Sequence, residues 1–339
     1  MSDGAGAEGP SEGDDDEEGL TYAATGVDVE ASETATAALV GAVGSVETGY
    51  AGMLDIGDRY LALATDGVGT KLLVAEAVGD YSTIGIDCIA MNVNDLVAAG
   101  VEPVAFVDYL AVEAPDDAVA EAVGEGLAAG AEAAGVVLVG GETAVMPEVI
   151  VGLDLAGTCA GLAPKDAVFD GVAEPGDALV GWPSAGIHSN GLTLARAAAT
   201  RGHDYADPFP DEFDADEDRT IGEVLLEPTR IYAHLLGPMR AHGVRGAAHV
   251  TGGGWTNLER LGAHRYVVSD PWAIQPVFAF VQSAGNVSDE EMHRTFNMGT
   301  GFVAALPPER AESLADETDG RVIGRVEVGD GVAIRGLEL

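Results

Sequence analysis

The segment Asp66-Gly67-Val68-Gly69-Thr70-Lys71 places a carboxylate, two glycines, a hydroxyl and an ammonium within six positions. Glycines there let backbone N–H groups approach phosphate oxygens, Lys71 can neutralise one of them, and Asp66 can hold magnesium, so the set suits a nucleotide. The same residues could also make a tight turn whose aspartate caps the next helix. Lys71 is one of only two lysines in the 339-residue chain, Lys165 being the other, and its retention here favours phosphate contact. A second set, Asp87, Asn94 and Asp95 with Met91, lies in an otherwise apolar stretch, and spacings of seven and eight put Asp87 and either later polar residue on one helical face. Carboxylates in such a stretch need cations, which magnesium would supply; capping and internal hydrogen bonds are the alternative. A third, Gly140-Gly141-Glu142-Thr143, follows the apolar run Val136 to Val139 and again permits close backbone approach and one metal ligand, or starts a helix with Glu142 in its first turn.

The second half carries groups suited to a sugar phosphate. His188-Ser189-Asn190 concentrates imidazole, hydroxyl and amide, and His188 is a candidate for moving a proton as well as for a hydrogen-bonded loop residue. His249-Val-Thr-Gly252-Gly253-Gly254 precedes a helix-compatible stretch, so the three glycines make an anion nest at the positive end of its dipole, or a plain turn. Asn297, in Thr295-Phe-Asn-Met-Gly299, can pair with a ligand amide or fix a turn.

Hydrophobic patterning supplies elements to hold these groups. A strand over 60–65, a helix over 71–78, a buried helix over 83–99, a strand over 103–112, a helix over 115–134 and a strand over 136–139 alternate in α/β order, and 151–162 adds another strand. Pro164, Gly171, Pro175 and Gly176 make the composition polar between 164 and 177, which places a domain boundary there. A second α/β pattern follows, interrupted by an acidic insertion over 204–218. Two domains also suit the chain length.

Charge narrows the class. Fifty-seven acids against 16 bases give a net charge of −41, of which the first 19 residues, expected to be disordered, hold eight acids and no base. Such a field repels nucleic-acid backbones and anionic membranes. No apolar run reaches the roughly 18 residues needed to span a bilayer, and an acidic start does not suit a signal peptide, so a cytoplasmic protein is expected. Cys88 and Cys159 stand far apart without a CxxC partner, against disulfides and structural zinc. Fourteen arginines but two lysines point to a proteome adapted to high salt, since heat adaptation enriches lysine with glutamate.

Taken in order, these segments resemble the phosphoribosylformylglycinamidine cyclo-ligase, or aminoimidazole ribonucleotide synthetase, family. The resemblance runs from Tyr22-Ala-Ala-Thr-Gly-Val-Asp28 past Gly301. It includes Asp66 to Lys71, Ile84-Gly-Ile-Asp87, Val93-Asn-Asp-Leu96, Val107-Asp-Tyr109, Gly140-Gly-Glu-Thr143 with Met146-Pro147, Ser184 to Gly191, Pro228-Thr-Arg-Ile-Tyr232, Thr251 to Gly254, Ala284-Gly-Asn-Val287 and Thr295 to Gly299. It departs from the family at Ala23, where many members have lysine, and over 47–53, where many carry a longer glycine-rich loop. Beyond the acidic tail over 1–19, the resemblance implies an ATP-binding and dimerisation domain over 20–164 and a C-terminal α/β domain over 165–339. Strands of the first would join a second copy's in a dimeric β-barrel.

It further implies ATP and Mg2+ as cofactors, formylglycinamidine ribonucleotide as substrate and a homodimer. ATP would contact Asp66, Gly67, Gly69, Thr70, Lys71, Asp87, Asn94, Gly141, Glu142 and Thr143, with the metal on Asp66, Asp95 and Glu142. Lys71, Asp95 and His188 would carry catalysis, and Ser189, Asn190, Gly252, Gly253, Gly254 and Asn297 the substrate. Selenophosphate synthetases and hydrogenase-maturation relatives need cysteines at places where this chain has none. Thiamine monophosphate kinases and the amidotransferase synthetase are not expected to carry His-Ser-Asn-Gly together with Thr-Phe-Asn-Met-Gly. A non-catalytic acidic binding protein is the reading from a different class; retention of every metal acid and Lys71 argues against it.

Overall fold

The computed structural model describes residues 19–27, 29–43, 49–214 and 218–339. The acidic stretch over 1–18, Asp28 of the N-terminal motif, Glu47 and Thr48 of the short loop and residues 215–217 of the insertion lie outside them.

The first half contains α1 (Val29–Val43), β1 (Gly52–Asp55), β2 (Arg59–Gly67), α2 (Lys71–Val78), α3 (Ile84–Ala98), β3 (Glu102–Val112), α4 (Asp117–Ala134), β4 (Val137–Val145) and β5 (Leu153–Pro164). Its sheet runs β1-β2-β5-β3-β4, with β4 parallel to β3 and the other pairs antiparallel. Along β2 and β3 the period of two sends Ala62, Ala64, Phe106 and Leu110 inward, and these side chains pack in one core with Cys88, Ile89 and Val93 of α3. α3 is buried along nearly its whole length because α4, the sheet and the C-terminal half each cover a side. A Cβ on Gly85 would stand 2.2 Å from the backbone N of Leu127, so that glycine sets how closely α3 and α4 cross. Asp116 starts α4 by accepting from the N–H groups of Ala118 and Val119.

The second half contains β6 (Ala178–Pro183), α5 (Leu192–Ala199), α6 (Ile221–Leu225), α7 (Leu236–Ala241), β7 (Gly246–His249), a 3-10 helix over Gly254–Leu261, β8 (Arg265–Val268), α8 (Pro276–Gly285), α9 (Asp289–Thr295), β9 (Thr300–Leu306), α10 (Pro308–Glu317), β10 (Arg321–Glu327), β11 (Val332–Ile334) and β12 (Leu337–Glu338). Its sheet runs β12-β11-β8-β10-β6-β9-β7, antiparallel except where β11 meets β8. Both sheets are open within the single chain, in a two-domain mixed α/β fold.

One expected break is absent. The pair Gly140-Gly141 does not end its strand: β4 runs on through Glu142 and Thr143 to Val145. A double glycine in a strand reads as a terminus, but here Gly140 sits at a register shift against β3, where one extra residue is absorbed without stopping the ladder.

Candidate active site between the two domains

α3 lies where the halves meet. Its Asn92 donates to the Asp66 carbonyl at 3.2 Å, tying it to the end of β2. Met91, Asn94 and Asp95 face the C-terminal half instead: Asn94 Nδ2 donates to the Arg230 carbonyl at 2.9 Å and Asn94 Oδ1 accepts from the Tyr232 N–H at 2.9 Å.

Asp87 and Lys71 meet each other rather than a ligand. Lys71 Nζ stands 2.8 Å from Asp87 Oδ2, and both side chains have no solvent exposure. The ammonium also donates to the Glu227 carbonyl at 2.6 Å, while Asp87 Oδ1 accepts from the Thr229 N–H at 2.8 Å and its hydroxyl at 2.5 Å. The lysine that the chain retains thus fastens α2 and α3 to the segment 227–229 of the other domain. Asp87, Lys71 and Asn94 are all occupied by protein partners.

Asp66 and Asp95 remain available. Asp66 lies at the end of β2, exposed, with Oδ1 accepting from the Gly67 N–H at 2.8 Å. Desolvation pushes its carboxyl above the usual range, the Gly67 hydrogen bond opposes this, and the nearby Asp95 charge adds to the rise. Two carboxylates that repel each other suit a cation. Among the described residues no group of three or more His, Cys, Asp or Glu side chains could hold a metal alone. Magnesium bound with a nucleotide needs only one or two carboxylates, since phosphates and water fill the rest of its octahedron, so Asp66 and Asp95 fit that form of the ion.

Glu142 does not join them within one chain. The row Asp66, Gly157, Asp108, Gly141 crosses β2, β5, β3 and β4 in register, and its side chains share the inner face; Glu142 belongs to the next row, with Tyr109, on the outer face. Three strand spacings of about 4.8 Å put β4 roughly 14 Å from β2. The inner row holds a further acid: desolvation raises the Asp108 carboxyl too. Its position between inward Phe106 and Leu110 was the available signal. A Cβ on Gly157 would strike the Phe106 ring at 2.1 Å, so the glycine lets that ring lie between the two aspartates' strands.

In the C-terminal half, His188 is buried with a left-handed φ of 67°. Its Nε2 accepts from the Ala185 N–H at 3.1 Å and the Arg230 N–H at 3.5 Å, so Nδ1 carries the hydrogen, and that buried atom has no partner among the described residues. Desolvation, followed by His249, Lys71 and Arg230, holds the imidazole pKa well below its ordinary value. Ser189 Oγ pairs with Thr229 Oγ1 at 3.3 Å. Asn190 approaches Met91 and Gly252: a Cβ on Gly252 would stand 3.1 Å from Asn190 Oδ1. Gly254 is needed for packing, because a Cβ there would stand 2.2 Å from the His293 carbonyl oxygen; Gly253 takes a φ of 89° before the 3-10 helix. Asn297 spends its amide on the Gly186 and Ile187 carbonyls and accepts from the Gly299 N–H, which fixes the His188 loop from below. Of the remaining residues, Gly69 has open space around it at φ 70°, Thr70 pairs with Thr193, and Thr143 lines a separate cleft by Tyr81 and Asp116.

A two-domain α/β fold with two neighbouring acids and a buried imidazole at the domain junction is the frame of an enzyme acting on a small molecule. Residues 48–163 match the family model for the AIR synthase related protein N-terminal domain, and 174–336 the C-terminal domain. The chain belongs to that family. A phosphoribosylformylglycinamidine cyclo-ligase of Methanosarcina acetivorans is 46% identical over 333 residues, covering 95% of this chain and 98% of the relative. One from Thermococcus gammatolerans is 48% identical over 311 residues, covering 86% and 90%. In fold, the chain resembles the crystal structure of a thiamine monophosphate kinase from Aquifex aeolicus, with a TM-score of 0.65 at 16% identity, covering 92% of this chain and 99% of that one.

Proposed function

We propose that the protein is an ATP-dependent cyclo-ligase that converts formylglycinamidine ribonucleotide to 5-aminoimidazole ribonucleotide, ADP and phosphate in purine biosynthesis. The near full-length likeness to the cyclo-ligase of Methanosarcina acetivorans carries this reading. A formamide oxygen is a poor leaving group. Transfer of the γ-phosphoryl of ATP onto it makes an iminophosphate, the amidine nitrogen attacks the same carbon, and phosphate departs with the oxygen. Catalysis is then mostly positioning and charge neutralisation. Asp66 and Asp95 would hold Mg2+ with the nucleotide phosphates, and the ion when bound neutralises charge on the transferring group. His188 resists becoming an imidazolium, so its part is to hold the 185–188 loop against the Arg230 N–H rather than to take up a proton. Asn190 and Gly252 flank the same junction. Lys71 acts through Asp87 and the segment 227–229 rather than on phosphate. One missing ligand to the metal is worth more than about 1.4 kcal/mol, so D95N should lose at least about tenfold in turnover. Full activity in D95N would remove Asp95 from the site.

The working form is a homodimer. Leu54, Leu63, Val107, Tyr109 and Val137 are exposed on one face of the first sheet, and β4 presents a free edge. A second copy would cover them. Glu142 lies on that face and would reach the nucleotide site only from the second copy. A monomer at micromolar concentration in molar salt, seen by light scattering, contradicts this. No described helix is long and apolar enough to cross a membrane, and the acidic surface suits a high-salt cytoplasm.

A further inference from the structure

His249 closes β7 with no solvent exposure, and both ring nitrogens reach neighbouring residues of α3 in the other domain. Nδ1 is 3.0 Å from Asp95 Oδ1, and Nε2 is 3.3 Å from Asn94 Nδ2. The hydrogen positions follow from Asn94. Its Oδ1 must be the atom that accepts from the Tyr232 N–H, so its Nδ2 carries the two hydrogens that face the Arg230 carbonyl and the ring. Nε2 therefore accepts, Nδ1 bears the hydrogen, and Nδ1–H donates to Asp95. The backbone of His249 is held as well, its carbonyl accepting from the Tyr50 hydroxyl at 3.5 Å. One carboxylate oxygen of Asp95 is thereby fixed by a rigid donor, while the side chain keeps 23% exposure beside Asp66.

We infer that His249 is a positioning residue that aims the free oxygen of Asp95 at the metal–nucleotide, and so makes metal affinity depend on docking of the C-terminal domain against α3. Hydrogen bonds to a ligating carboxylate orient it, and losing such an outer contact typically weakens metal binding by about 10- to 100-fold. The inference rests on the reading of Asp95 as a metal ligand.

The test compares ATP binding with Mg2+ and in EDTA by calorimetry, with melting temperatures, for wild type, D95N, H249Q and H249N. Asparagine can place its amide N–H where Nδ1–H stands; glutamine places its amide further out. The factor by which Mg2+ tightens ATP binding should fall about tenfold or more in D95N and H249Q, and stay within about threefold of wild type in H249N. H249A repeats the comparison with and without free imidazole, which should restore the factor. An unchanged factor in D95N removes the metal reading and this inference with it. A reduced factor in D95N with a wild-type factor in H249Q, or equal losses in H249Q and H249N that track melting temperature, overturns the positioning role and leaves the metal reading standing.

Discussion

Lys71 and Asp87 form an ion pair 2.8 Å long with neither side chain exposed, and it joins two helices of one domain to the 227–229 segment of the other. Removing one partner leaves a charge buried without compensation, which costs about 3–5 kcal/mol, whereas replacing both by apolar groups of similar volume is often close to neutral. K71M should therefore unfold at markedly lower denaturant than wild type, and K71M/D87N should regain part of the loss, because the asparagine carries no charge and its Oδ1 can still accept from Thr229. Potassium chloride screens exposed charges and should not rescue K71M. Equal stability of wild type and K71M would mean that the pair is not formed.

The two cysteines should be silent in the folded protein. Burial pushes the Cys88 thiol far up, assisted by Asp108, Asp87 and Asp66, and lifts Cys159 to about 12. The thiolate is the reactive form. A chromogenic disulfide reagent should titrate neither thiol in molar salt and both after unfolding; fast reaction of either in the native protein contradicts the packing.

His188 gives stability a pH dependence of definite sign. Its pKa in the folded protein lies below the ordinary value of about 6.5 that the unfolded chain has, so the unfolded state binds more protons between the two. The stability is complete above about pH 6.5 and is lost as the pH falls below it. H188N keeps a residue that tolerates the left-handed backbone and removes the titration. The stability of wild type relative to H188N should decrease between about pH 7.5 and pH 5, a comparison in which the many carboxylates cancel. A constant difference would show that His188 is not neutral and buried.

Salt should stabilise the whole molecule. The net charge of −41 makes the surface repel itself and repel a nucleotide anion, and the Debye length shrinks from about 10 Å at 0.1 M to about 3 Å at 1 M. Melting temperature and activity should rise together between about 0.1 M and 3 M potassium chloride. A melting temperature that stays level or falls contradicts the high-salt reading.

Periodicity made the elements legible where one face is plainly buried. The helices over Lys71–Val78 and Ile84–Ala98 and the strand over Glu102–Val112 fall within a residue of their expected bounds. The continuation of β4 through Gly140-Gly141 was not legible, because the register shift that absorbs the extra residue there exists only in the pairing with β3. Site residues were legible by type but not by partner. The rarity of lysine marked Lys71 as important, yet only three dimensions show that Asp87 consumes its charge. In sequence His249 stands beside three glycines that dominate the motif; its own signal is a lone imidazole closing the buried strand Gly246–His249, with no polar neighbour in that strand to satisfy it.

The most direct test of the account is a stoichiometric assay of the purified protein in molar potassium chloride with ATP, Mg2+ and formylglycinamidine ribonucleotide. One ADP, one phosphate and one 5-aminoimidazole ribonucleotide should appear per substrate consumed, and D95N should slow all three together. ADP formed without the imidazole product, or a stable phosphorylated product in its place, would contradict the cyclo-ligase reading.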